Sequence, residues 1–445
     1  MEIKSGDFQK LKRFYGEHLT PIEVFDKFIF PEIENLLYDY LWVDLYAGKG
    51  NLIFPILDHL SLSERVDFFE SHIRLYDVQD EMVNYMRNKA IYDYNIPQEL
   101  AFRNIRKRDN LLDFPEELLK ERHPVYHITN PPYLYIGYIK KHKNEEGFKH
   151  YLSYFQKERK KLQDLYQIAL FNDLKVGIPK MAYIIPTNFI YGKSGSNEIR
   201  KLFFPYYSID KAYIIEDKIF EETGINVGIF FFSRKEKISF KDVQFTAIKV
   251  YKNELIEKEI VLKKEFKYAT GNEFEEYIRK NIRNNLDVSF YLMKEEVLKN
   301  KGNNKVILLN ANKYNKSKNE YEKEVYWVND YLYRKIKNNV LWVRTVDTGS
   351  YDGRAGLYLL EELGVDGILT EKPYRTHPIQ IFFKPELSIE KQIKLKEEFN
   401  NCLEYLRKLT DSEFMTTYKY SNNSDYIRKY LGLNQVKKLI NTIEV

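Results

Sequence analysis

Between residues 41 and 233 the chain returns again and again to short runs of β-branched and aromatic residues, with helically spaced stretches between them. "LWVDLY" (41–46), "IRLYDV" (73–78), "VYHIT" (125–129), "AYIIP" (182–186), "KAYII" (211–215) and "VGIFFFS" (227–233) read as strands. "DEMVNYMRNKAIYDY" (80–94) carries apolar residues at helical spacing behind Asp80, which is placed to cap it. Strands that alternate with helices form a mostly parallel sheet with helices on its faces. The link "EDKIFEETGIN" between the last two strands is too short for a packed crossover helix, so that pair is expected to be antiparallel, an edge hairpin on the sheet.

From Lys235 the pattern changes to strands with polar turns, then to long charged helices such as "SIEKQIKLKEEFNNCLEYLRKL" (388–409). The expected organisation is an α/β domain over residues 1–235 and an α+β domain over 236–445, and a length of 445 residues suits two domains. Hydrophobic content of 44% with 30% charge belongs to a folded soluble protein, and no apolar run approaches the roughly 18 residues a membrane helix needs. The N-terminus lacks the blocks of a secretory signal and Cys402 is the single cysteine, which predicts a cytoplasmic protein without disulfides. One thiol cannot build a structural zinc site and the histidines lack metal-ligand spacing, so no metal is expected. The net charge of +5 is mild for a nucleic-acid binder. Two stretches, 139–161 and 310–344, interleave Lys and Arg with aromatic residues, a pairing that suits phosphates and bases but that composition alone also produces.

Three groups of residues carry chemistry. "DLYAGKGN" (44–51) follows the first strand, and its glycines let the backbone turn sharply and approach a ligand; an ordinary tight turn is the other reading of that loop alone. It is neither the dinucleotide G-x-G-x-x-G nor a phosphate loop. Asp77 ends the second strand, where nucleotide-binding sheets place a carboxylate for ribose hydroxyls, although it stands 27 residues beyond Gly50 rather than about 20; a turn or cap role is the alternative. "NPPY" (130–133) follows the third strand. Prolines cannot extend a ladder, so Pro131 and Pro132 end the strand at the sheet's carboxyl edge. There the Asn130 side-chain oxygen and the Pro131 carbonyl are two close acceptors suited to a primary amine, and Tyr133 offers a flat face for a ring.

At these residues the first 235 positions resemble the S-adenosylmethionine-dependent amino-methyltransferases of DNA, specifically the adenine-N6 enzymes in which a cofactor half precedes a target-recognition half. "NPPY" matches that family's catalytic motif, and "YAGKG" (46–50) matches its F-x-G-x-G loop with tyrosine for phenylalanine. The resemblance implies a Rossmann-like methyltransferase sheet with S-adenosylmethionine as cofactor. It implies that Thr20, Pro21 and Asp44 hold the methionine portion, that Tyr46, Gly48 and Gly50 form the loop, and that Asp77 takes the ribose. Asp109 falls where the family's acidic residue meets the cofactor's adenine amine. Asn110 departs from the pattern, since the family more often has an apolar residue there. Asn130, Pro131, Pro132 and Tyr133 would act on the target base, with Phe220 stacking on its other face.

The implied function is site-specific methylation of adenine N6 in double-stranded DNA, in a restriction-modification context with a possible cognate endonuclease. Residues 236–445 would read sequence, with Lys335 and Arg354 as expected DNA contacts, and the chain would act as a monomer. Cytosine-N4 methylation, RNA adenine methylation and a catalytically idle DNA-binding subunit are the alternatives. A base inside a duplex cannot reach such a site, so it would have to be flipped out.

Overall fold

The computed structural model describes residues 20–145, 148–217, 225–252, 254–348, 353–421 and 424–445. It divides into two compact units, Met1–Thr270 and Gly271–Val445.

The first unit is built on nine strands: β1 (Leu41–Asp44), β2 (Ile73–Asp77), β3 (Ile105–Lys107), β4 (Val125–Thr129), β5 (Lys180–Pro186), β6 (Tyr207–Ile215), β7 (Val227–Arg234), β8 (Val243–Tyr251) and β9 (Glu254–Leu262). Their order is β3-β2-β1-β4-β5-β7-β6-β8-β9. Strands β1 to β5 run parallel, and β7 is antiparallel to both of its neighbours, β5 and β6. All six strands expected from the sequence are present. Every residue of β1 and of β4 is buried, as continuous apolar runs should be in a parallel sheet covered on both faces.

Two features differ from expectation. The β6–β7 pair is antiparallel, but it lies inside the sheet rather than at its edge, because β8 pairs in parallel with Lys211–Ile215 of β6 and β9 then pairs antiparallel with β8. For the same reason the division of the chain falls after Thr270 and not near residue 236. The shift toward charged residues beyond Lys235 marks the sheet's polar margin, since Glu254, Leu255, Ile256, Glu257 and Glu259 of β9 are exposed.

The strand order reverses between β1 and β4. From β1 the chain builds outward to β2 and β3, then returns to place β4 on the other side of β1, opening a crevice at their carboxyl ends. The register Leu41↔Val125, Trp42↔Tyr126, Val43↔His127 brings the ends of the two strands level. That alignment sets Asp44 beside Thr129 and delivers the residues after both strands to one place.

The second unit is α+β. One four-stranded sheet combines Asp287–Phe290, Ile379–Lys384, Leu341–Arg344 and Gly356–Leu359, and another combines Leu292–Met293, Gly367–Thr370, Lys301–Asn315 and Glu320–Val328. The helix Ile389–Thr410 starts at Ser388, whose hydroxyl accepts the Lys391 N–H at 3.3 Å, and buries Leu395, Phe399, Leu403 and Leu406 along one face. Among the described residues no helix is long and apolar enough to cross a membrane.

Candidate active site

The crevice opens into a cavity of about 370 Å³, walled by residues that follow β1, β2, β3 and β4. Thr20, Asp44, Tyr46, Gly48, Asp77, Asp109, Asn130 and Pro132, all singled out in the sequence, line it together.

At the end of β1, Asp44 is 1% exposed. Its Oδ1 accepts the Tyr46 N–H at 3.0 Å and the Thr129 hydroxyl at 2.6 Å, so the strand register fixes this side chain. Burial pushes its carboxyl up from the ordinary 3.8 to about 6, while those two hydrogen bonds pull it down. Beneath it, the Leu45 N–H donates to His127 Nε2 at 3.2 Å. That nitrogen must therefore be bare, and the imidazole proton sits on Nδ1 facing Asp173 Oδ2 at 2.6 Å. The Tyr183 hydroxyl donates to the same Asp173 oxygen at 2.6 Å, completing a buried network that holds the loop's first residue to β4 and β5.

The glycine loop turns as expected. Gly50 has φ +75°, and a Cβ there would sit 2.4 Å from the Phe54 ring, so the position admits only glycine without rearrangement. The helix after it is a single short turn, Phe54–Asp58, and the Ile53 and Phe54 N–H groups bond back to the Gly50 carbonyl. The free N–H groups expected at this helix start are thus committed to the loop itself. A second helix, Arg65–His72, follows before β2, and these two helices account for the long spacing to Asp77.

Asp77 is 7% exposed and ties the loop to β2. Its Oδ2 accepts the Gly48 N–H at 2.9 Å and its Oδ1 the Gln79 N–H at 2.8 Å. These bonds order the Asp77 carboxylate at the cavity wall, at the carboxyl end of β2.

At the end of β4, Asn130 donates Nδ2 to the Thr20 hydroxyl at 3.0 Å, and Asn51 Nδ2 holds the Thr20 carbonyl at 2.8 Å. The Tyr133 hydroxyl lies against Asn130 Oδ1 and against the Ile184 carbonyl, 2.5 Å away. Tyr133 is 6% exposed and meets Tyr166 edge-on, with ring centroids 6.4 Å apart. It and the buried Pro131 lie behind the cavity wall, so in this conformation Tyr133 presents no open face for stacking. Pro21 precedes the helix Ile22–Val24 and does not line the cavity, and Gly50 acts through the turn it makes. Phe220 lies outside the described residues.

Asp109 follows β3. Its Oδ1 accepts the Leu111 N–H at 3.2 Å and its Oδ2 accepts the Tyr154 hydroxyl at 2.6 Å. The next residue, Asn110, is 2% exposed; its Nδ2 donates to the Leu45 carbonyl at 2.7 Å, while its Oδ1 has no hydrogen-bond partner among the described residues. Sequence reasoning noted Asn110 only as a departure from a family pattern, and it missed Asn51, Gln79, His150, Tyr151 and Tyr154 as cavity residues. The last three belong to the stretch 139–161, whose basic and aromatic composition had pointed to nucleic acid; the fold turns those aromatic side chains toward the cavity instead. Nothing in their spacing signals this, because only the helical turns Phe148–Tyr151 and Leu152–Phe155 aim them.

In the second unit, both expected DNA contacts are engaged internally. Lys335 Nζ pairs with Glu296 at 2.6 Å and sits 4.8 Å above the Phe382 ring. Arg354 pairs with buried Asp347 at 3.3 Å and with Glu404 at 3.9 Å. Glu296 and Glu404 come from distant positions in the chain, whereas Asp347 stands seven residues before Arg354.

Comparison with solved structures finds several of low identity. They include an ATP-dependent Type ISP restriction-modification enzyme, LlaBIII, bound to DNA (13% identity, TM-score 0.47, 82% of this chain and 33% of that one). The type IIG restriction endonuclease BpuSI matches at 11% identity and a TM-score of 0.42, over 96% of this chain and 61% of that one. A modification subunit of a type I restriction enzyme from Vibrio vulnificus matches at 17% identity and a TM-score of 0.37, over 63% of this chain and 57% of that one. In each case the chain spans less than two thirds of the other protein's length. No curated protein sequence matches the chain. The family described as N-6 DNA Methylase matches residues 95–323, just over half of the sequence and including Asp109 and the NPPY tetrad, and the chain belongs to that family.

Proposed function

We propose that this chain is a site-specific DNA adenine-N6 methyltransferase that draws its methyl group from S-adenosylmethionine. The observation that carries the reading is the shared cavity: Asn130 and Pro132 of the tetrad line the same 370 Å³ space as Asp44, Gly48, Asp77 and Asp109. That size suits a small-molecule site. The residues suit the cofactor: the carboxylates of Asp77 and Asp109 both line the cavity, acceptors for the hydroxyls and the amine that an adenosyl group carries. When bound, the cofactor supplies an activated methyl on a sulfonium.

The chain's own work is on the target. Adenine's exocyclic nitrogen is a weak nucleophile because its lone pair is delocalised into the ring. Asn130 Oδ1, on the cavity wall, would accept one of its hydrogens, and the Pro131 carbonyl the other once the bound base has drawn that residue forward from behind the wall; together they would favour tetrahedral geometry and stabilise the positive charge that grows on nitrogen during attack. The Tyr133 hydroxyl and Thr20 fix the two ends of the Asn130 amide, so the acceptor is placed before the base arrives. No general base is required for the attack itself, since the nitrogen sheds its extra proton only after the methyl has been transferred.

Residues 271–445 form the unit we assign to recognising double-stranded DNA, in a restriction-modification setting. Methylation-aware sequencing of DNA from cells expressing the chain tests the whole reading, because it reports base, position and sequence motif together. N6-methyladenine at a fixed motif is the expected result. Absence of any new modification, with the purified chain binding S-adenosylmethionine but transferring nothing to duplex DNA, would overturn it.

A further inference from the structure

We propose that the second unit grips duplex DNA through one composite surface: the turn joining Lys301–Asn315 to Glu320–Val328 enters the major groove, and the cleft behind it, with Arg344 and Arg428 in its wall, seats the adjoining phosphate backbone. This rests on the assignment of residues 271–445 to DNA recognition and names the residues that perform it.

The hairpin runs on past the sheet that holds it. Gly367–Thr370 pairs with its first strand only at Leu308, Leu309 and Asn310. Asn312 is tied to the segment beyond, its Oδ1 accepting the Glu371 N–H at 2.8 Å and its Nδ2 donating to the Lys372 carbonyl at 2.9 Å. From there the ladder joins the hairpin strands to each other, Tyr314 opposite Tyr321 and Asn315 opposite Glu320, after an irregularity of register of the kind that bends a ribbon. The turn is pinned from inside: Asn315 Oδ1 accepts the Ser317 N–H at 3.0 Å and the Ser317 hydroxyl at 2.7 Å, and Asn319, at φ +54°, closes it in the left-handed region. Lys316 and Lys318 stand exposed on this rigid tip, whereas Lys313, further back, is paired with Glu324 at 2.8 Å. A two-stranded ribbon is one of the shapes that the major groove, about 12 Å wide, admits, and cations at its end meet the phosphates that rim the groove.

Behind the tip lies a cleft of about 670 Å³, lined by Tyr314, Asn319 and Tyr321 of the hairpin together with Trp342, Arg344 and Arg428. Its lining carries two arginines and, among the described residues, no carboxylate, in a chain that has 65 Asp and Glu. The Arg344 guanidinium lies over the Trp342 and Tyr358 rings, 5.6 and 5.1 Å from their centroids, and those rings stack on each other at 4.9 Å. Ring faces fix the plane of a guanidinium without neutralising it. Thr376 adds a hydroxyl to the wall. Cations and aromatic faces in one trough suit a sugar–phosphate backbone, which is a ridge of negative charge with apolar sugar surfaces between its phosphates. A duplex carries that ridge beside its groove, so a single pose fills the cleft and admits the ribbon. The fold thus gathers Tyr314, Lys316, Lys318, Tyr321, Trp342 and Arg344, scattered along the basic and aromatic stretch 310–344, at one surface.

Fluorescence anisotropy of the full chain with a labelled DNA duplex of arbitrary sequence, and with one of its single strands, across a salt series tests this, because backbone contacts need no recognition sequence. Each phosphate contact releases about 0.9 of a counterion, which at about 0.15 M salt amounts to about fivefold in affinity. Arg344→Ala should therefore weaken duplex binding about fivefold and lower the slope of log affinity against log salt by about one. The double variant Lys316→Ala/Lys318→Ala should weaken it about thirtyfold and lower the slope by about two. S-adenosylmethionine affinity should stay at the wild-type value in both. A bracing role would lower the melting temperature and leave the slope unchanged. If Arg344→Ala fails to fold, the lysine pair, exposed on the turn, still decides the matter. Variants that keep the wild-type affinity and slope would overturn the proposal, and so would a loss as large on the single strand as on the duplex, which would make the surface a single-strand site. A wild-type chain that binds no duplex DNA at any salt concentration would overturn the recognition reading beneath it.

Discussion

Replacing Asp77 by asparagine should weaken S-adenosylmethionine binding about ten- to a hundredfold. The carboxylate offers two oxygens and the structure uses both, one for the Gly48 N–H at 2.9 Å and one for the Gln79 N–H at 2.8 Å. Asparagine has one oxygen. Whichever way its amide turns, one backbone N–H of the free chain faces an NH₂ group, and the charged acceptor proposed for the ribose hydroxyls is gone. A hydrogen bond to a charged group contributes about 1.5 to 3 kcal/mol, and each 1.4 kcal/mol is a factor of ten in affinity, which gives the range stated. The loss should register twice, as a lower melting temperature of the free chain and as a larger dissociation constant in calorimetric titration. A lowered melting temperature with an affinity within twofold of wild type would show that Asp77 only braces the loop. If neither quantity moved, the hydrogen bonds at 48 and 79 would contribute nothing measurable and the reasoning would fail.

Asn130→Ala should abolish methyl transfer to duplex DNA while the cofactor dissociation constant stays within a few-fold, and more than a few per cent of turnover would remove Asn130 from the mechanism. Asp44 should make stability depend on pH. Its folded value of about 6 lies above the ordinary 3.8, so between those values the folded chain holds a proton that the unfolded chain has released. This contribution is present at low pH and is lost as pH rises from about 4 to about 6, on the order of 3 kcal/mol. Asp44→Asn keeps Oδ1 for Tyr46 and Thr129 and should remove the dependence; parallel denaturation profiles for variant and wild type at pH 4 and 7 would refute it. Arg354→Ala should lower thermal stability, because Asp347 and Glu404 lose a partner; a gel-shift titration beside the melting curve separates the two roles, since a variant as stable as wild type with weakened DNA binding would make Arg354 a DNA contact and not a brace.

Much of the sheet was legible because its strands are buried on both faces and so read as unbroken apolar runs. The short β3, with Arg106 and Lys107 exposed, gave no such run and passed unnoticed. The site was legible where chemistry requires a particular residue near a strand end: Asp44, Gly48, Asp77, Asp109 and Asn130 all reached one cavity. Its other wall was not. Tyr154 and Asp109 are 45 residues apart and meet only because the segment between them folds back, which no local pattern records. The ion pairs of Lys335 with Glu296 and of Arg354 with Glu404 were invisible for the same reason, since those acidic partners come from distant positions in the chain. Composition shows how many charges a segment has and nothing about which are already neutralised.

Strands β8 and β9 bear on how the chain can be cut. A fragment ending at residue 235 would strip β8 from β6 and leave the backbone of Lys211–Ile215 as an unpaired ladder flanked by the buried side chains of Ala212, Ile214 and Ile215. A bare, apolar strand edge is a template for self-association, and such a fragment should aggregate whatever its capacity for ligand. In the intact chain β9 occupies the margin, where Glu254, Glu257 and Glu259 face solvent and discourage a second sheet from docking. A separable cofactor-binding piece therefore has to run through Thr270, and the hairpin at 243–262 serves as its gatekeeper.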